Sequence, residues 1–470
     1  MTLDVNGQLV CGLAESYTVS ENLLTYKFTL REGLVWNNDK PLTSHDFSFA
    51  LKRILSHDAP SPFASEYLSI YNAQKYIDGE MSDDGLGVIT PDDRTVIFVL
   101  SRPDPFFLQK LSGTSMMPCN KEFFEETKGR YGRGREYLLT NGPFFVRIWD
   151  NTKYFSLRQS ATYYDSVSVV PFGVTLLIGE GNSALMLDQG DIDFARVIPS
   201  QLPLYDDNNF SSVSFNDQTY LLVFNTESKL MGNQNIRKAI AAATDHDVLK
   251  PYISQDFRVS SSLIPLGINI LPLVNYRQAV GAVDTVSFNT VFAKQNLQTG
   301  LKELDLKALP EITIITAAET DHRILLGYLQ REWYSDLSIF LNIENLSQAE
   351  MNKALNNKAF QVALVPLTSD YDSPLAMLSK FTSDSAQNYA GFASEEFDTL
   401  IAEAKNTGNI ETIARNCLAA ENLLLSEVAV LPLYDYNSYY VTGENVSDIV
   451  FKPFPGQIYF KFAYKPRKLI

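Results

Sequence analysis

The chain has 470 residues, a length that usually exceeds what one hydrophobic core serves, so we expect two or three lobes. Hydrophobic residues make up 45% and aromatic residues 12% of the sequence, which excludes a disordered chain. The formal net charge of −16 argues against a nucleic-acid partner, because binding to phosphates requires clustered Lys and Arg.

The cysteines exclude a disulfide framework. Cys11, Cys119 and Cys417 are odd in number and far apart, and they show no metal-ligand spacing. No run of 18 apolar residues is present, and the first ten residues lack the basic start and apolar core of a signal peptide. We therefore predict neither a membrane span nor a secretion signal in this sequence.

Strand-like and helix-like patterns alternate along the first half of the chain. Residues 24–36 alternate as a strand does, and residues 41–55 have helical periodicity with Thr43 or Ser44 as the cap. The further predicted elements are a strand and a Pro-broken helix in 94–111, a hairpin in 140–150 and 153–160, and a helix, a glycine turn and a strand in 183–197.

The most regular pattern lies between residues 311 and 367. It predicts strand, helix, strand, helix and strand over 311–319, 321–337, 339–346, 348–357 and 360–367. This order is typical of a parallel α/β lobe. The longer helix is expected to bury an apolar face made of Ile324, Leu325, Tyr328, Leu329 and Trp333.

The stretch "LVPLTSDYDSPLAML", residues 364–378, continues the last of these strands into a small acidic tip. The tip carries Asp370 and Asp372, and no basic residue lies near them in sequence. Because ligands of open α/β sheets bind beyond the carboxyl ends of the strands, we interpret the tip as a ligand site. The alternative is that Asp370 merely caps the following turn.

Seven blocks, in order over nearly the whole chain, carry a resemblance to a known family. They are "GLAESYTVSENLLTYKFTLREGLVWNNDKPLTSHDFSFALKRI" (12–54), "SPFAS" (61–65), "NGPF" (141–144), "DQGDIDF" (188–194), "LLVFNTESKLMGNQNIRKAIAAATDHDVL" (221–249), "TSDYDSPLAMLSKFTSDSAQNYAGFASEEFDTLIAEA" (368–404) and "VLPLYDYNSYYVT" (430–442). Together they resemble the extracytoplasmic solute-binding proteins of the oligopeptide/dipeptide family, which feed ABC importers.

The resemblance implies an α/β fold of the periplasmic-binding-protein-like clamp type (type II), with two α/β lobes that close on a ligand and an extra middle lobe. Residues 1–138 would form the middle lobe, 139–220 with 443–470 lobe I, and 221–442 lobe III. Family members carry several tens of residues ahead of the position that matches Met1, including a signal peptide, a lipid-anchor cysteine and the first strand of lobe I. We therefore expect lobe I to lack one strand.

The resemblance also suggests ligand contacts around the tip. Asp370 matches the aspartate that pairs with the ligand's α-ammonium group in peptide-binding members, and Thr368 precedes it in the same block. Leu367 stands where the family often carries tryptophan, which leaves a sugar or another polar solute open as the ligand. Asn388 matches an asparagine that faces the cleft and can hydrogen-bond a peptide backbone, although an Asx-turn is the alternative.

Aromatic residues complete the predicted site. Tyr220, Tyr434 and Tyr436 lie at the predicted links between lobes and suit a cleft wall, although core packing is the alternative for each of them. Phe63, in "SPFAS", matches a middle-lobe loop that approaches the ligand in the larger peptide binders.

No cofactor, metal site or catalytic constellation is predicted. The histidines at positions 45, 57, 246 and 322 sit in separate segments, and "TDHDV" (244–248) is interpreted as the solvated end of a helix over 235–249. No Ser-His-Asp or Cys-His order stands out. The sequence therefore predicts a binding protein rather than an enzyme.

The predicted function is the substrate-binding component of an ABC importer, a monomer that captures peptides in an interlobe cleft and delivers them to permease subunits. Its location would be extracytoplasmic, at the cell surface as a lipoprotein or in the periplasm, with a lipid anchor as its link to the membrane. The alternatives are a non-peptide solute such as a sugar, a hydrolase with Asp370 and Asp372 as a carboxylate pair, and a sensor that reports ligand to a partner.

Overall fold

The computed structural model describes residues 1–59, 61, 63–178, 183–197, 199–205, 210–253, 258–271, 274–318, 320–369, 371–452 and 457–466. The chain divides into two compact units. The first unit is Met1–Ala195 with Thr442–Ile470, and the second is Arg196–Val441.

The strands and helices are numbered in chain order. The strands are β1 (Thr2–Leu3), β2 (Leu9–Val10), β3 (Ala14–Val19), β4 (Thr25–Leu30), β5 (Val88–Asp92), β6 (Thr95–Val99), β7 (Phe144–Asp150), β8 (Tyr154–Gln159), β9 (Gly173–Leu177), β10 (Phe194–Val197), β11 (Ser211–Phe224), β12 (Arg258–Val259), β13 (Asn269–Leu271), β14 (Val274–Asn275), β15 (Ile312–Ala317), β16 (Leu341–Leu346), β17 (Val362–Thr368), β18 (Val430–Thr442), β19 (Val450–Lys452) and β20 (Gln457–Tyr459). The α-helices are α1 (Ser44–Ile54), α2 (Ala73–Ile77), α3 (Phe107–Lys110), α4 (Lys121–Glu126), α5 (Ser183–Asp188), α6 (Gln234–Ala242), α7 (Tyr276–Val280), α8 (Thr290–Glu303), α9 (Thr320–Leu337), α10 (Gln348–Asn356), α11 (Pro374–Leu378), α12 (Glu395–Lys405) and α13 (Ile410–Ser426).

The first unit contains an antiparallel four-stranded sheet in the order β3-β4-β6-β5. Tyr26, Phe28 and Leu30 alternate along β4 and are buried, which confirms the predicted strand. The predicted helix is α1. Thr43 is its N-cap, and the carboxylate of Asp46 accepts a hydrogen bond from the Thr43 amide at 2.8 Å, as in a capping box.

The other predicted elements of the first unit are also confirmed. Strands β7 and β8 form an antiparallel hairpin, and β9 adds a third strand to it. In the stretch 183–197, α5 is followed by Gly190, whose φ of +74° suits a residue without a Cβ, and then by β10.

The second unit is built on a seven-stranded mixed sheet in the order β10-β18-β11-β17-β15-β16, with β12 paired to β18. Strand β15 runs parallel to both β16 and β17, which confirms the predicted parallel α/β segment, and β11 joins β17 antiparallel. The core of this unit includes Trp333, Leu329 and Phe224, each fully buried. The carboxyl ends of β15 and β17 therefore open on the same edge of the sheet.

Two helices differ from the prediction. Helix α6 ends at Ala242 rather than at residue 249. Beyond this end, the Thr244 hydroxyl accepts a hydrogen bond from the Trp333 indole at 3.1 Å and donates one to the Ile240 carbonyl. On α9, Ile324 is 55% exposed whereas Leu326 is fully buried. The buried stripe runs through positions 325, 326, 329 and 333, and residue 324 lies outside its helical spacing.

Candidate functional site

Leu367 and Thr368 end β17 at the carboxyl edge of the parallel strands. In the antiparallel pairing with β11, Leu367 lies opposite Thr219 and Thr368 lies opposite Gln218. The Leu367 side chain is buried and Thr368 is exposed. Strand β17 therefore ends at the surface of the second unit. Asp370, the principal residue of the predicted site, lies outside the described residues.

Hydrogen bonds hold Ser369 and Asp372, the residues of the acidic tip that the structure describes. The Ser369 hydroxyl donates to the carbonyls of Tyr371 at 2.5 Å and Ser373 at 3.3 Å. The carboxylate of Asp372 accepts from the Asn269 amide at 2.7 Å and from the Asn269 side chain at 2.8 Å. Burial raises the pKa of Asp372, and the two hydrogen bonds oppose this change. Ser369 and Asp372 are thus held by contacts within their own unit.

A basic residue contacts the tip, although none precedes or follows it closely in sequence. The ammonium group of Lys380 donates a hydrogen bond to the carbonyl oxygen of Thr368 at 2.8 Å. Helix α11, capped by Ser373 with Pro374 in its first turn, reverses the chain and brings Lys380 back to the strand end.

Three of the predicted site residues form one aromatic cluster. The rings of Tyr220 on β11 and Tyr434 on β18 are stacked, with centroids 5.0 Å apart and planes 11° apart. Tyr436 meets Tyr220 edge-on at 5.6 Å. Because β11 and β18 are neighbours in the sheet, residues more than two hundred positions apart become contacts. Tyr220 and Tyr434 are buried and Tyr436 is partly exposed.

His322 belongs to the same cluster and was not predicted to. Its ring centroid lies 4.6 Å from that of Tyr220, and its Nδ1 is 3.3 Å from the Thr316 hydroxyl near the carboxyl end of β15. Burial lowers the pKa of His322 to about 4, so the imidazole is neutral at pH 7. Its position at the start of the helix that follows a parallel strand was the available signal.

Of the remaining predicted site residues, Asn388 lies in the second unit and Phe63 in the first unit. Asn388 is buried, and its amide donates to the carbonyls of Phe392 at 2.7 Å and Thr382 at 3.1 Å while its oxygen accepts from the Phe392 amide at 3.2 Å. These contacts order its own loop. Phe63 is 42% exposed in the first unit, next to a short 3-10 turn. A ligand contact for either residue stays a prediction.

Two buried carboxylates lie on the strands that carry the aromatic cluster. Asp435, fully buried on β18, is paired with the guanidinium of Arg258, whose Nε donates at 3.0 Å, and the Thr219 hydroxyl lies 3.4 Å away. Burial raises the pKa of Asp435 and Arg258 opposes that change. Strands β11, β12 and β18 are thereby joined beside Tyr434 and Tyr436.

The second buried carboxylate, that of Asp217 on β11, is stabilised less strongly than the carboxylate of Asp435. The Ser438 hydroxyl lies 3.2 and 3.3 Å from its two oxygens, and the Gln218 and Arg196 side chains in turn approach that hydroxyl at 3.1 and 3.5 Å. Burial raises the pKa of Asp217 to about 6, and these polar neighbours only partly offset the loss of water. The carboxylate therefore titrates near the physiological range.

Neither a metal centre nor a membrane span is found in the described part of the chain. Among those residues, no three His, Cys, Asp or Glu side chains are grouped so that they could hold a metal ion. Within the same ranges, no helix combines the length and the apolar character needed to cross a membrane.

Comparison with known proteins identifies the family. The family described as "Bacterial extracellular solute-binding proteins, family 5 Middle" matches residues 8–389, which is most of the chain. This chain belongs to that family. The family-5 resemblance expected from the seven sequence blocks is thus confirmed.

Family-5 relatives align along almost the full chain. The "Dipeptide-binding protein DppE" of Bacillus subtilis is 30% identical, with 96% of this chain and 83% of the relative covered. The "Oligopeptide-binding protein OppA" of the same organism is 25% identical, with 98% of this chain and 86% of the relative covered.

A solved structure supports the fold. "Listeria monocytogenes OppA bound to peptide" superposes with a TM-score of 0.87 at 21% identity, and 99% of this chain and 92% of that chain are covered. The predicted fold class, an α/β periplasmic-binding-protein-like clamp of type II, is confirmed by this likeness.

Proposed function

We propose that this protein is the substrate-binding component of an ABC importer, which captures peptides and delivers them to membrane permease subunits. The observation that carries the proposal is the 30% identity to a dipeptide-binding protein along 96% of the chain. A 25% identical relative is an oligopeptide-binding protein, and the family consists of solute-binding proteins rather than enzymes. The protein would act outside the cytoplasm, as a cell-surface lipoprotein or in the periplasm, and as a monomer.

The proposed site is the acidic tip at the carboxyl edge of β17. Asp370 would accept the α-ammonium group of the peptide, because a cation stripped of water needs a charge-assisted partner. Its neighbours in the chain, Ser369 and Asp372, are held by hydrogen bonds. Tyr436 would offer an aromatic wall with a polar end, and Leu367 and Thr368 the adjoining strand end.

Other parts of the sequence-based interpretation stay proposals. Asn388 and Phe63 would add contacts to the peptide backbone and to a longer ligand. The division into lobes 1–138, 139–220 with 443–470, and 221–442 stays a prediction.

A hydrolase is less well supported, because it would need Asp370 and Asp372 to act as a carboxylate pair. Asp372 instead accepts two hydrogen bonds from Asn269, which orient its carboxylate toward that residue. A non-peptide solute stays the main alternative, since Leu367 leaves the pocket without the tryptophan of other family members. We therefore propose a binding protein with no catalytic residue.

The first experiment is native mass spectrometry of the purified protein, before and after denaturation and refolding. We expect a heterogeneous bound mass of a few hundred daltons that fragments as peptides and is lost on refolding. A single non-peptide mass, or no bound mass together with no response to added peptides, contradicts the proposal.

Titration calorimetry then tests the assigned carboxylate. Asp370→Ala should weaken binding of Ala-Ala-Ala by ~100-fold or more, because it leaves the desolvated ammonium group unpaired, while the thermal midpoint of the ligand-free protein changes little. Asp384→Asn, which removes an exposed carboxylate from the segment after α11, is the matched control and should bind as the wild type does. Equal affinity of Asp370→Ala and the wild type contradicts the role given to Asp370.

A further inference from the structure

An exposed basic surface lies on the first unit of this acidic protein. Its members are the cations between residues 128 and 147, all of them exposed: Lys128, Arg130, Arg133, Arg135 and Arg147. Glu136 is the one carboxylate in the same stretch of sequence, whereas the whole chain has 55 acidic against 39 basic residues. The local excess of positive charge is therefore opposite in sign to the net charge of −16.

Hydrogen bonds bring the members of the basic surface together from two segments of the chain. The Arg133 amide donates to the Arg130 carbonyl at 2.9 Å, which folds the first segment into a turn. The Arg135 guanidinium donates to the Arg147 carbonyl at 2.8 Å, so this turn lies against β7. The cations of both segments thus belong to one surface.

Most of these charges are not used within the described part of the protein. None of the five cations forms an ion pair with a carboxylate there, and the side chains of Lys128, Arg133 and Arg147 make no hydrogen bond with those residues. The Arg130 guanidinium donates to the Tyr137 hydroxyl at 2.6 Å and lies over the same ring. The basic surface therefore keeps its positive charge available to a partner.

The acidic side chains of the preceding helix α4 are mostly engaged elsewhere. Glu122 pairs with Lys40 at 2.6 Å, and Glu125 pairs with Lys121 at 3.8 Å. Glu126, the third carboxylate of this helix, forms no ion pair with the basic surface. Exposed charges farther away than about 8 Å are largely screened at physiological salt, so a partner meets the cations first.

The backbone of the basic surface is open to a broad partner. Gly129 and Gly132 have φ values of +81° and +72°, and among the described residues no atom beyond their chain neighbours lies within 4 Å of the point where a Cβ would be. Ile148, which follows Arg147, is 38% exposed and adds an apolar side chain. Guanidinium groups bind phosphate through two parallel hydrogen bonds, and each cation near an anionic lipid surface adds to the attraction.

We propose that the basic surface docks the first unit on a membrane that is rich in anionic phospholipid. Arg133 and Arg147, whose guanidinium groups have no carboxylate partner, bind the lipid phosphates. The same membrane repels the net negative charge of the chain as a whole, so the contact orients the protein as well as holding it. This role goes beyond the proposed function and is independent of which solute the protein carries.

Co-sedimentation with large unilamellar vesicles tests the proposal in the absence of peptide. The vesicles consist of phosphatidylcholine alone or of an equal mixture of phosphatidylcholine and phosphatidylglycerol. At about 0.02 M salt the wild type should bind the mixed vesicles and not the phosphatidylcholine vesicles, and about 0.3 M salt should release it. The double variant Arg133→Gln with Arg147→Gln should bind the mixed vesicles roughly 30-fold more weakly, with an unchanged thermal midpoint.

The matched control is Arg323→Gln with Arg415→Gln, which removes two exposed charges from α9 and α13 of the second unit and should bind as the wild type does. Equal binding of the wild type and the Arg133/Arg147 variant overturns the proposal, as does equal binding of the wild type to both kinds of vesicle or to neither. Retention of the wild type on immobilised poly-L-glutamate without binding to mixed vesicles assigns the surface to an acidic protein and also overturns it. None of these results bears on peptide capture, which mass spectrometry and calorimetry test separately.

Discussion

Asp217 shows how one side chain can make stability depend on pH. It is 8% exposed, and the Ser438 hydroxyl lies within hydrogen-bond distance of its carboxylate oxygens. Its pKa is raised from about 3.9 in an unfolded chain to about 6 in the folded protein. Protonated Asp217 is therefore favoured by folding, and this contribution is present below about pH 4 and lost as the pH rises through about 6.

Asp217→Asn removes the titration while keeping an oxygen that accepts from Ser438. A shift of about two units corresponds to ~3 kcal/mol, so the free energy of unfolding of the variant relative to wild type should rise by ~2 kcal/mol between about pH 4 and about pH 8. Urea denaturation of both proteins across this range measures the difference. Asp384→Asn, at an exposed carboxylate, is the control, and parallel curves for Asp217→Asn and wild type would contradict the assignment.

At the scale of elements, the arrangement of strands around β18 decides which groups meet. Strand β12 consists of only two residues, yet Arg258 on it pairs with the fully buried Asp435 on β18. The backbone pairing sets Arg258 opposite Asp435 and Val259 opposite Tyr434. The ion pair therefore holds a short strand against the element that carries two of the aromatic site residues.

Arg258→Met should destabilise the protein by ~3 kcal/mol, because it leaves the Asp435 carboxylate buried without its cation. Chemical denaturation followed by fluorescence, with Trp36 and Trp149 of the first unit replaced by Phe in every variant, reports on the second unit, in which Trp333 is buried. The double variant Arg258→Met with Asp435→Asn should recover most of the loss, since the unpaired charge is then absent. Additive losses in the double variant would show that the two residues do not act as a pair.

At the scale of the whole molecule, each unit has its own core. Trp36, Tyr67 and Phe107 are buried in the first unit, and Trp333, Phe224 and Tyr434 in the second. Ligand binding adds stability by mass action, because a ligand that binds only the folded state shifts the unfolding equilibrium.

Addition of Ala-Ala-Ala at about one hundred times its dissociation constant should stabilise the protein by about 2.7 kcal/mol and raise the thermal midpoint by roughly 3–5 °C. Differential scanning calorimetry measures the change. Asp370→Ala at the same peptide concentration should show almost no rise. A rise of equal size in Asp370→Ala would place the peptide elsewhere on the protein.

Much of the local structure was predictable, because it is encoded in spacing along the chain. The burial of Tyr26, Phe28 and Leu30 can be read from the two-residue period of a strand. The capping box of Thr43 and Asp46 can be read from their separation of three residues. The parallel order of β15, β16 and β17 followed from the intervening helices for the same reason. The predicted burial of Ile324 was wrong because the helix has apolar residues on several sides, and the sequence pattern does not indicate which of these sides packs against the sheet.

The sequence by itself determined the family and fold class, the parallel α/β segment and the strand end that carries the acidic tip. Only the tertiary structure decided that Tyr220 stacks on Tyr434, that His322 joins them, and that Lys380 returns to Thr368. The physical reason is that periodicity acts between residues a few positions apart, whereas these contacts depend on strand order and on the path of the chain after α11. Such long-range neighbours are selected by the packing of the whole unit, which no local pattern specifies.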